Sequence, residues 1–369
     1  MSKIYDIVVV GSGIAGACVA YWAKDLGKSV LVVDRSALPA TGGSSAAGAF
    51  ISPKLGKSTP LTNLTNRAFK FSSNFYSKNF SKFFNQSGMI RFAKDSADLK
   101  NLEYYKNIIG SGEIINEQEL KELGIIGQSK ALYFKDGGVC DAQALCKELI
   151  KGIDYKQLEV SKVIQESNNI IINDSIKAKN IVFATGYEAF SGFDYMSING
   201  LWGSRGDYYC SSKIKICMHK GVSVSSSING IIKLGATTTR AKNPCMVCSG
   251  EPLKELEAKA NLFIKLNNLK IKEIFCGYRA NSKDYFPIVG KVIDTDYMLN
   301  SYPQIKKGYK KAPLKYKNSW YVFNGLGARG FVFAPYLANN LVRHIFKDIE
   351  LIKEVNSDRL FLRWARKLK

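Results

Sequence analysis

The chain has 369 residues, of which 46% are apolar and 23% charged, and a formal net charge of +22. At roughly 100–200 residues per domain this length favours two domains, and the composition excludes a wholly disordered chain, a collagen-like repeat and a coiled coil. No apolar run reaches the roughly 18 residues that a bilayer span needs, so an integral membrane protein is not expected.

The excess of basic residues favours a polyanionic partner, such as nucleic acid or an anionic membrane face. A lysine-rich bias from an AT-rich genome is the alternative, although it does not account for the few acidic residues. The N-terminal stretch lacks the features of a secretory signal, and the eight cysteines are irregularly spaced. We therefore expect a cytoplasmic protein with reduced thiols.

The N-terminus follows the order strand, glycine turn, helix, strand, acid. Its parts are the apolar run 4–10, the glycines Gly11, Gly13 and Gly16, a helix ending at Gly27, a strand over 29–33, and Asp34. In a dinucleotide-binding fold Gly11 permits the tight turn, Gly13 lets the backbone approach a pyrophosphate, and Gly16 lets the helix pack on the strand. The helix N-terminus attracts the phosphates, and Asp34 accepts hydrogen bonds from the ribose.

Later segments favour FAD over NAD. The stretch 35–56 is rich in Gly, Ala and Ser and suits a chain that wraps closely around a ligand. Short strands predicted over 158–178 precede Asn-Ile-Val-Phe-Ala-Thr-Gly at 180–186, an order typical of two-dinucleotide-fold flavoproteins. Residues 320–335 are predicted to form a strand, a glycine-rich turn and a helix that begins near Phe331, which places amide groups near a second ligand position.

These pieces, in this order, resemble the D-amino-acid-oxidase-like superfamily of FAD-dependent amine oxidases. Within it, the chain resembles the FAD-dependent oxidoreductase half of the bifunctional enzymes that make 5-methylaminomethyl-2-thiouridine in tRNA. The resemblance runs from about residue 4 to residue 369, and it is carried by the segments 42–57, 61–76, 131–149, 204–209, 277–292, 325–335 and 356–367. The last two are its most distinctive segments.

The resemblance implies an α/β fold: a Rossmann-like FAD-binding domain of the glutathione-reductase and D-amino-acid-oxidase type, with an inserted, mainly antiparallel β-sheet substrate domain of α+β character. We expect residues 1–86, 130–200 and 278–369 to form the FAD-binding domain. Residues 87–129 and 201–277 are expected to form the substrate domain, with successive antiparallel strands over 204–236 and a helix over 250–269.

Motif and resemblance together predict the residues that bind FAD. They are Gly11, Gly13, Ile14, Ala15, Gly16, Asp34, Arg35, Ser44, Ser45, Val163, Ala184, Thr185, Gly186, Gly325, Gly327, Ala328, Arg329 and Gly330. For catalysis the resemblance implies Arg279, which would hold a substrate carboxylate, together with Arg329 and Tyr278. A structural ion pair is the alternative role for Arg279. Tyr208 and Arg205 are weaker candidates.

The implied reaction removes the carboxymethyl group of 5-carboxymethylaminomethyl-(2-thio)uridine at the tRNA wobble position as glyoxylate and leaves 5-aminomethyl-(2-thio)uridine. The implied partners are the tRNA anticodon arm and, because the methyltransferase half of the bifunctional enzymes has no counterpart here, a separate methyltransferase. A small-molecule amine or glycine oxidase of the same superfamily is the alternative. A flavin-binding, RNA-associated protein without turnover is a third.

Two basic stretches suit RNA. Residues 301–320 hold six lysines, no acid and interleaved aromatics, and 359–369 hold five basic residues on a predicted helix; a solvated loop or tail is the alternative for each. His219 and His344 are expected to be structural. A metal or redox role is not expected for Cys245 and Cys248, because one Cys-x-x-Cys pair without a nearby histidine is poor evidence for zinc.

Overall fold

The computed structural model describes residues 3–188, 190, 192–239 and 248–368. The helices are α1 (Ile14–Asp25), α2 (Pro60–Asn79), α3 (Ser96–Lys100), α4 (Leu102–Ile109), α5 (Glu117–Glu122), α6 (Ala142–Leu149), α7 (Leu253–Asn261), α8 (Thr295–Ser301), α9 (Gly330–Lys347) and α10 (Phe361–Ala365). Within these ranges no helix combines the length and the apolar character that a bilayer crossing requires.

The strands are β1 (Ile4–Tyr5), β2 (Ile7–Val10), β3 (Val30–Asp34), β4 (Phe50–Ile51), β5 (Phe84–Asn85), β6 (Met89–Phe92), β7 (Glu113–Asn116), β8 (Lys130–Phe134), β9 (Gly138–Cys140), β10 (Asp154–Gln157), β11 (Val163–Glu166), β12 (Asn169–Ile172), β13 (Ile176–Ala178), β14 (Ile181–Phe183), β15 (Asn199–Tyr209), β16 (Cys217–Lys220), β17 (Val222–Val224), β18 (Ile231–Gly235), β19 (Lys270–Asn281), β20 (Ile288–Ile293) and β21 (Tyr316–Asn324).

A six-stranded sheet in the order β10-β3-β2-β14-β21-β20 carries the N-terminal motif. Its pairs are parallel except β20–β21. The central strand β2 is buried on both faces, as its unbroken run of apolar β-branched residues predicts. Helices α1 and α2 pack against α9 on one side of this sheet, so the predicted Rossmann-like arrangement is confirmed.

A second large sheet has eight strands in the order β19-β15-β18-β17-β16-β6-β8-β7. Its pairs are antiparallel except β16–β6, which agrees with the predicted mainly antiparallel sheet. Strand β8 lies in this sheet, although the sequence assigned residues 130–200 to the FAD-binding domain. The predicted helix over 250–269 is shorter: α7 ends at Asn261, because Phe263 and Ile264 turn into the core and Ile264 pairs with Ile125.

Helix α9 contains a proline that would leave a buried carbonyl without a partner. Pro335 has no amide hydrogen to donate to the carbonyl of Phe331, four residues earlier. The hydroxyl of Tyr76, on α2, donates to that carbonyl instead at 2.9 Å, and the Tyr76 side chain is fully buried. This bond ties α2 to the first turn of α9, which faces the cavity described below.

A partly buried ion pair joins two segments that are far apart in sequence. Arg359 donates from Nε to Asp284 Oδ2 at 2.9 Å and from Nη2 to Asp284 Oδ1 at 3.0 Å. Arg359 also donates to the carbonyls of Val355, Asn356 and Phe286. The C-terminal segment is thereby held against the chain that follows β19.

Candidate active site

A cavity of about 740 Å³ lies where residues of the six-stranded and the eight-stranded sheet meet. This volume is in the range of cofactor and ligand sites. One end is formed by the turn after β2 and the start of α1, and we call it the nucleotide end. The other end is formed by residues of the eight-stranded sheet and by the turn before α9, and we call it the substrate end.

Glycines shape the nucleotide end. Gly11 has φ +104°, and a Cβ at this position would clash with the Ala184 carbonyl. A Cβ at Gly16 would clash with the Gly11 carbonyl, and a Cβ at Gly13 would lie 3.0 Å from Ser44 Oγ. Gly13 is also the N-cap of α1 and has no side chain to cap the helix. The first turn of α1 therefore presents its positive end to the cavity, which suits a pyrophosphate.

Asp34 lies in the cavity wall at the end of β3. Its Oδ2 accepts hydrogen bonds from the amide and the hydroxyl of Ser12, at 2.7 and 2.6 Å, and its Oδ1 accepts one from the Ser36 amide at 2.9 Å. The carboxylate thus holds the glycine turn in place, and its remaining acceptor capacity suits a ribose hydroxyl. Arg35, which follows it, pairs with Glu188.

The small residues of 42–48 let the chain pass directly beneath β19. A Cβ at Gly43 would clash with the Tyr278 carbonyl, and a Cβ at Gly277 would lie 3.0 Å from the Ala46 Cβ. Ser44 Oγ accepts a hydrogen bond from the Ile14 amide at 2.9 Å. The small size of the residues in this stretch thus has a steric reason, since larger side chains would separate it from β19.

The turn before α9 closes the cavity at the substrate end. Gly327 has φ +58°, and a Cβ there would clash with Asn281 Oδ1. Arg329 donates from Nη1 to the Ser52 carbonyl at 2.9 Å, and burial lowers its pKa to about 10. The start of α9 carries no capping side chain and no acid in its first turn, so its positive end faces the cavity.

Most of the residues predicted to bind FAD line this cavity. They are Gly11, Gly13, Ile14, Ala15, Asp34, Arg35, Ser44, Ala184, Thr185, Gly186, Gly327, Ala328, Arg329 and Gly330. Four others lie outside the lining residues: Gly16 packs behind the turn, Ser45 accepts a hydrogen bond from Arg205, Gly325 approaches Ile288, and Val163 pairs with Ile172. In place of Val163, the cavity is lined by Leu158, Glu159 and Val160.

Arg279 and Tyr278 lie in the substrate end on neighbouring positions of β19. Arg279 donates from Nη1 to Thr238 Oγ1 at 3.0 Å and from Nη2 to the Thr237 carbonyl at 2.7 Å, and burial lowers its pKa. In the described residues no carboxylate lies within 4 Å of it. This arrangement fixes the guanidinium group and leaves further N–H donors for an anion.

Three aromatic side chains form a cluster in the wall of the same cavity. Tyr278 stacks on Tyr187 with ring centroids 4.3 Å apart and meets Trp202 edge-on at 5.0 Å. All three line the cavity, and Tyr187 is 43% exposed. Neither Tyr187 nor Trp202 lies in a sequence motif, so neither was predicted as a site residue. The cluster offers flat apolar surface at the cavity opening.

Arg91 and His219 also line the cavity. His219 was expected to be structural; it lies in the cavity wall, and its Nδ1 is 2.8 Å from Ser223 Oγ. His344, by contrast, bonds the Ile349 carbonyl on the surface of α9. Arg91 was missed, although an arginine between the buried residues Ile90 and Phe92 of an apolar strand was a signal in the sequence.

The weaker candidates Tyr208 and Arg205 are in the interior. Tyr208 is 1% exposed and donates to Glu257 at 2.8 Å, and Arg205 lies over the Phe275 ring at 3.9 Å.

The expectation of reduced thiols is wrong for one pair, because Cys248 and Cys276 form a disulfide. Cys245 lies outside the described residues. Cys276 itself lines the cavity.

The basic stretches lie against each other. A Cβ at Gly308 would be 3.8 Å from Arg366 Cδ, and the 3-10 helix Pro303–Lys307 packs on α10. The pKa of Lys283 is lowered by burial and by the charges of Lys367 and Arg363. We use the name basic surface for the exposed residues Lys283, Lys306, Lys307, Lys310, Lys311, Arg363, Arg366 and Lys367. In the described part of the chain none of them pairs with an acid within 4 Å.

Comparison with known proteins agrees with this geometry. A family model described as FAD dependent oxidoreductase (DAO) matches residues 6–343. The chain belongs to this FAD-dependent oxidoreductase family. The match confirms FAD as the cofactor and an oxidoreductase as the enzyme class.

Curated relatives share the length of the chain at low identity. The tRNA 5-methylaminomethyl-2-thiouridine biosynthesis bifunctional protein MnmC of Legionella pneumophila is 24% identical over 94% of this chain and 55% of its own length. The protein of the same name from Leptospira interrogans is 25% identical over 92% of this chain and 57% of its own. This chain thus spans about half of the length of these relatives. The crystal structure of glycine oxidase from Geobacillus kaustophilus has the same fold, with a TM-score of 0.75, 17% identity, and coverage of 95% of this chain and 96% of that chain.

The residues present fit FAD. The cradle formed by Gly11, Gly13 and the start of α1 suits the pyrophosphate, and the positive end of α9 suits the electron-rich side of the ring system. Bound FAD supplies two-electron oxidation. The protein contributes the binding of substrate, its orientation and the electrostatic field. The carboxylates that line the described cavity all belong to its nucleotide end: they are Asp34, Glu159 and Glu188.

Proposed function

We propose that this FAD-dependent oxidoreductase removes the carboxymethyl group from 5-carboxymethylaminomethyl-(2-thio)uridine at the tRNA wobble position. The secondary amine –CH2–NH–CH2–COO⁻ loses two electrons and two protons to become an imine. Water then adds to the imine carbon, which releases glyoxylate and leaves 5-aminomethyl-(2-thio)uridine. The observation that carries the proposal is a substrate end with a fixed, acid-free guanidinium group in a chain similar to proteins named for tRNA thiouridine biosynthesis.

Arg279 is the residue we assign to the carboxylate. Its hydrogen bonds to Thr238 and to the Thr237 carbonyl hold the guanidinium plane before the substrate binds. Binding of a carboxylate therefore costs little further side-chain entropy. Holding the carboxylate fixes the position of the adjacent CH2 group, whose C–H bond is broken. Arg329 adds positive charge at the same end of the cavity.

Tyr278 and its two aromatic neighbours are assigned to the pyrimidine ring. Unstacked bases of single-stranded RNA loops bind to aromatic faces in proteins, and the cluster lines the same cavity as Arg279. A wobble base that leaves the anticodon stack could rest here while its side chain reaches into the cavity. The cluster would also limit access of water to the reacting carbon.

The basic surface is assigned to the phosphates of the anticodon arm. Lys283 lies two residues after the end of β19, the strand that carries Arg279. Lysine and arginine side chains without acidic partners are free to neutralise phosphates. The two basic stretches, separate in sequence, would thereby act as one RNA contact.

A small-molecule amine or glycine oxidase is the second candidate. Arg279 suits the carboxylate of a free glycine-like amine as well as that of a modified uridine. The two candidates differ in the residues they need besides Arg279, because a free amino acid makes no use of the aromatic cluster or of the basic surface.

The test compares substrates on the FAD-loaded protein without oxygen. Single-turnover flavin reduction is followed with tRNA that carries 5-carboxymethylaminomethyluridine, with glycine and with N-methylglycine, and the tRNA nucleosides and glyoxylate are analysed by mass spectrometry. We expect one glyoxylate and one 5-aminomethyluridine per reduced flavin from tRNA. Efficient oxidation of the free amino acids, with unchanged tRNA, would favour the second candidate.

The matched variant is Arg279→Ala. Loss of a charge-assisted pair to a carboxylate costs about 1.5–3 kcal/mol, so substrate binding should weaken by about ten- to a hundredfold. The visible spectrum of the bound flavin should stay near that of the wild type, since Arg279 is not assigned to FAD. Flavin reduction by the modified tRNA at the wild-type rate and concentration dependence would show that Arg279 does not hold the carboxylate.

A further inference from the structure

Tyr285 is an exposed tyrosine in a backbone conformation that aromatic residues rarely adopt. Its φ is +65°, in the left-handed region that favours glycine, asparagine and aspartate. The other non-glycine residues with positive φ in the described part of the chain are alanine, serine, asparagine and aspartate. The Tyr285 side chain is 66% exposed, and among the exposed large apolar side chains described only Leu262 is more exposed. Burial of the ring therefore does little to offset the strain of its backbone.

The turn that carries Tyr285 is held on both sides of this residue. Asp284 is paired with Arg359, and the Phe286 amide donates to Asp284 Oδ1 at 3.2 Å. The Phe286 carbonyl accepts hydrogen bonds from the Ser282 hydroxyl at 2.7 Å and from Arg359 Nη2 at 3.0 Å. The two neighbours of Tyr285 are thus bonded within the protein, and its ring is presented to solvent from a turn that is already fixed.

Cationic side chains lie beside this turn. Lys283 is exposed two residues before Tyr285, so the two Cα atoms are at most about 7 Å apart. Burial, together with the charges of Lys367 and Arg363, lowers the pKa of Lys283, which places the basic residues of the C-terminal segment next to it. Tyr285 therefore lies at the basic surface. Proteins that bind single-stranded RNA combine cations for the phosphates with exposed aromatic rings for the bases.

The same turn starts from the wall of the cavity. Asn281, at the end of β19, forms a β-bridge with Leu326, which lines the cavity in the turn before α9. Tyr285 follows Asn281 by four residues, a chain length of at most about 14 Å. At roughly 3.4 Å per nucleotide of a stacked strand, this is the length of about four nucleotides. One single-stranded loop can therefore supply a base to Tyr285 and another base to the cavity.

We propose that Tyr285 is a stacking platform for an unpaired base of the anticodon loop other than the wobble base. The ligand class is a nucleobase in single-stranded RNA, and the phosphates beside it meet Lys283 and the C-terminal basic residues. This inference rests on the proposed function, in which the wobble base is assigned to the aromatic cluster of the cavity. A ring that is held outward in advance loses little freedom when a base binds, which gives the strained conformation a use.

The probe is an anticodon stem-loop RNA without the wobble modification, and its binding to the FAD-loaded protein is measured by fluorescence anisotropy. Tyr285→Asn removes the ring and suits the left-handed backbone, so this variant should unfold at the wild-type temperature or above it. Its affinity for the stem-loop should be about five- to a hundredfold lower, the loss expected for one base stacked on an aromatic ring. The salt slope should stay unchanged, because no charge is removed. Tyr285→Phe should bind like the wild type, as should the control Tyr104→Asn, at an exposed tyrosine on α4.

Stem-loops that each lack one loop base identify the partner of Tyr285. Loss of the stacked base should weaken binding to the wild type much more than binding to Tyr285→Asn. The platform is overturned if the wild type does not bind the stem-loop, if Tyr285→Asn binds it as tightly as the wild type does, or if Tyr285→Phe loses as much affinity as Tyr285→Asn. Equal effects of every missing base on the wild type and on Tyr285→Asn also overturn it.

Oxidation of modified tRNA is assayed alongside, so that the platform and the proposed reaction can fail separately. If the stem-loop series identifies a stacked base but modified tRNA is not oxidised, the platform stands and the proposed reaction fails. If modified tRNA is oxidised and Tyr285→Asn binds the stem-loop normally, the reaction stands and the platform fails.

Discussion

Gly13 shows how one residue controls the approach of the cofactor. Its φ of −65° is open to any residue, so it is the lack of a side chain that matters here, with Ser44 Oγ only 3.0 Å from a would-be Cβ. We predict that purified wild-type protein is yellow and that Gly13→Trp is colourless, because the indole fills the space of the pyrophosphate. Gly13→Ala should retain part of the FAD. The measurement is the amount of FAD released on denaturation. Normal FAD content in Gly13→Trp would show that this turn does not bind the pyrophosphate.

Asp6 supports the start of the sheet through charge. The Ser29 amide donates to it, then Lys179 pairs with it at 2.9 Å, and together they lower its pKa from 3.8 to about 2. A carboxyl group whose pKa is lower in the folded state stabilises the fold at pH values above its unfolded-state pKa. This stabilisation is lost as the pH falls through the folded-state pKa. Between pH 5 and pH 2 the wild type should lose about 1–2 kcal/mol more of its free energy of unfolding than Asp6→Asn, after allowance for solvent screening. Parallel denaturant titrations check this, and equal losses would contradict it.

At this scale the sequence predicted residues that act through local geometry, and it missed those brought together by pairing. The glycines from Gly11 to Gly16 and Asp34 form one local turn, so their spacing was sufficient. Arg91 and His219 meet only because β6 pairs with β16, and Val163 was chosen where Val160 lines the cavity. Strand register of this kind is not encoded within a short motif.

Helix α9 depends on a bond from another helix. Pro335 leaves the Phe331 carbonyl without its usual donor, and Tyr76 replaces it. Tyr76→Phe should lower the free energy of unfolding by about 1–3 kcal/mol, because a buried carbonyl is left without a partner. Tyr104→Phe, at an exposed tyrosine, should change it by less than about 0.5 kcal/mol. Chemical denaturation of the three proteins measures this, and equal stability of both variants would show that the Phe331 carbonyl finds another donor.

The elements themselves were largely predictable where apolar periodicity and glycine punctuation agreed, as in β2, α1 and β21. The helix expected over 250–269 was too long, because its apolar residues continue past Asn261 into a turn that serves the core rather than into helix. The disulfide between Cys248 and Cys276 was not predictable, since the two cysteines are 28 residues apart with no pattern that links them.

For the whole molecule, charge distribution distinguishes the two candidate functions. Each neutralised phosphate gives a log–log salt slope of roughly −0.7 to −0.9, so tRNA binding should weaken by one or more orders of magnitude between low and physiological salt. Changing Lys306, Lys307, Lys310 and Lys311 to Gln should flatten this slope and lower kcat/KM for tRNA. The matched control changes Lys254, Lys259, Lys265 and Lys270, exposed residues on α7 and toward β19. If the control changes the salt slope as much as the test variant does, the dependence on salt comes from net charge rather than from the basic surface.

The strand order of the six-stranded sheet also bears on how the protein is made. Strand β2 is the first of its central strands to leave the ribosome, yet its neighbour β14 begins at Ile181 and the next strand, β21, ends only at Asn324. A nascent chain therefore carries an apolar strand with one of its two neighbours missing until about half of the chain has been made, and β14 then lacks β21 until Asn324 is made. Exposed apolar strands of this kind are the condition under which chaperones bind. Stalled chains that end before α9 should be retained by chaperones and should not take up FAD, however complete their N-terminal motif.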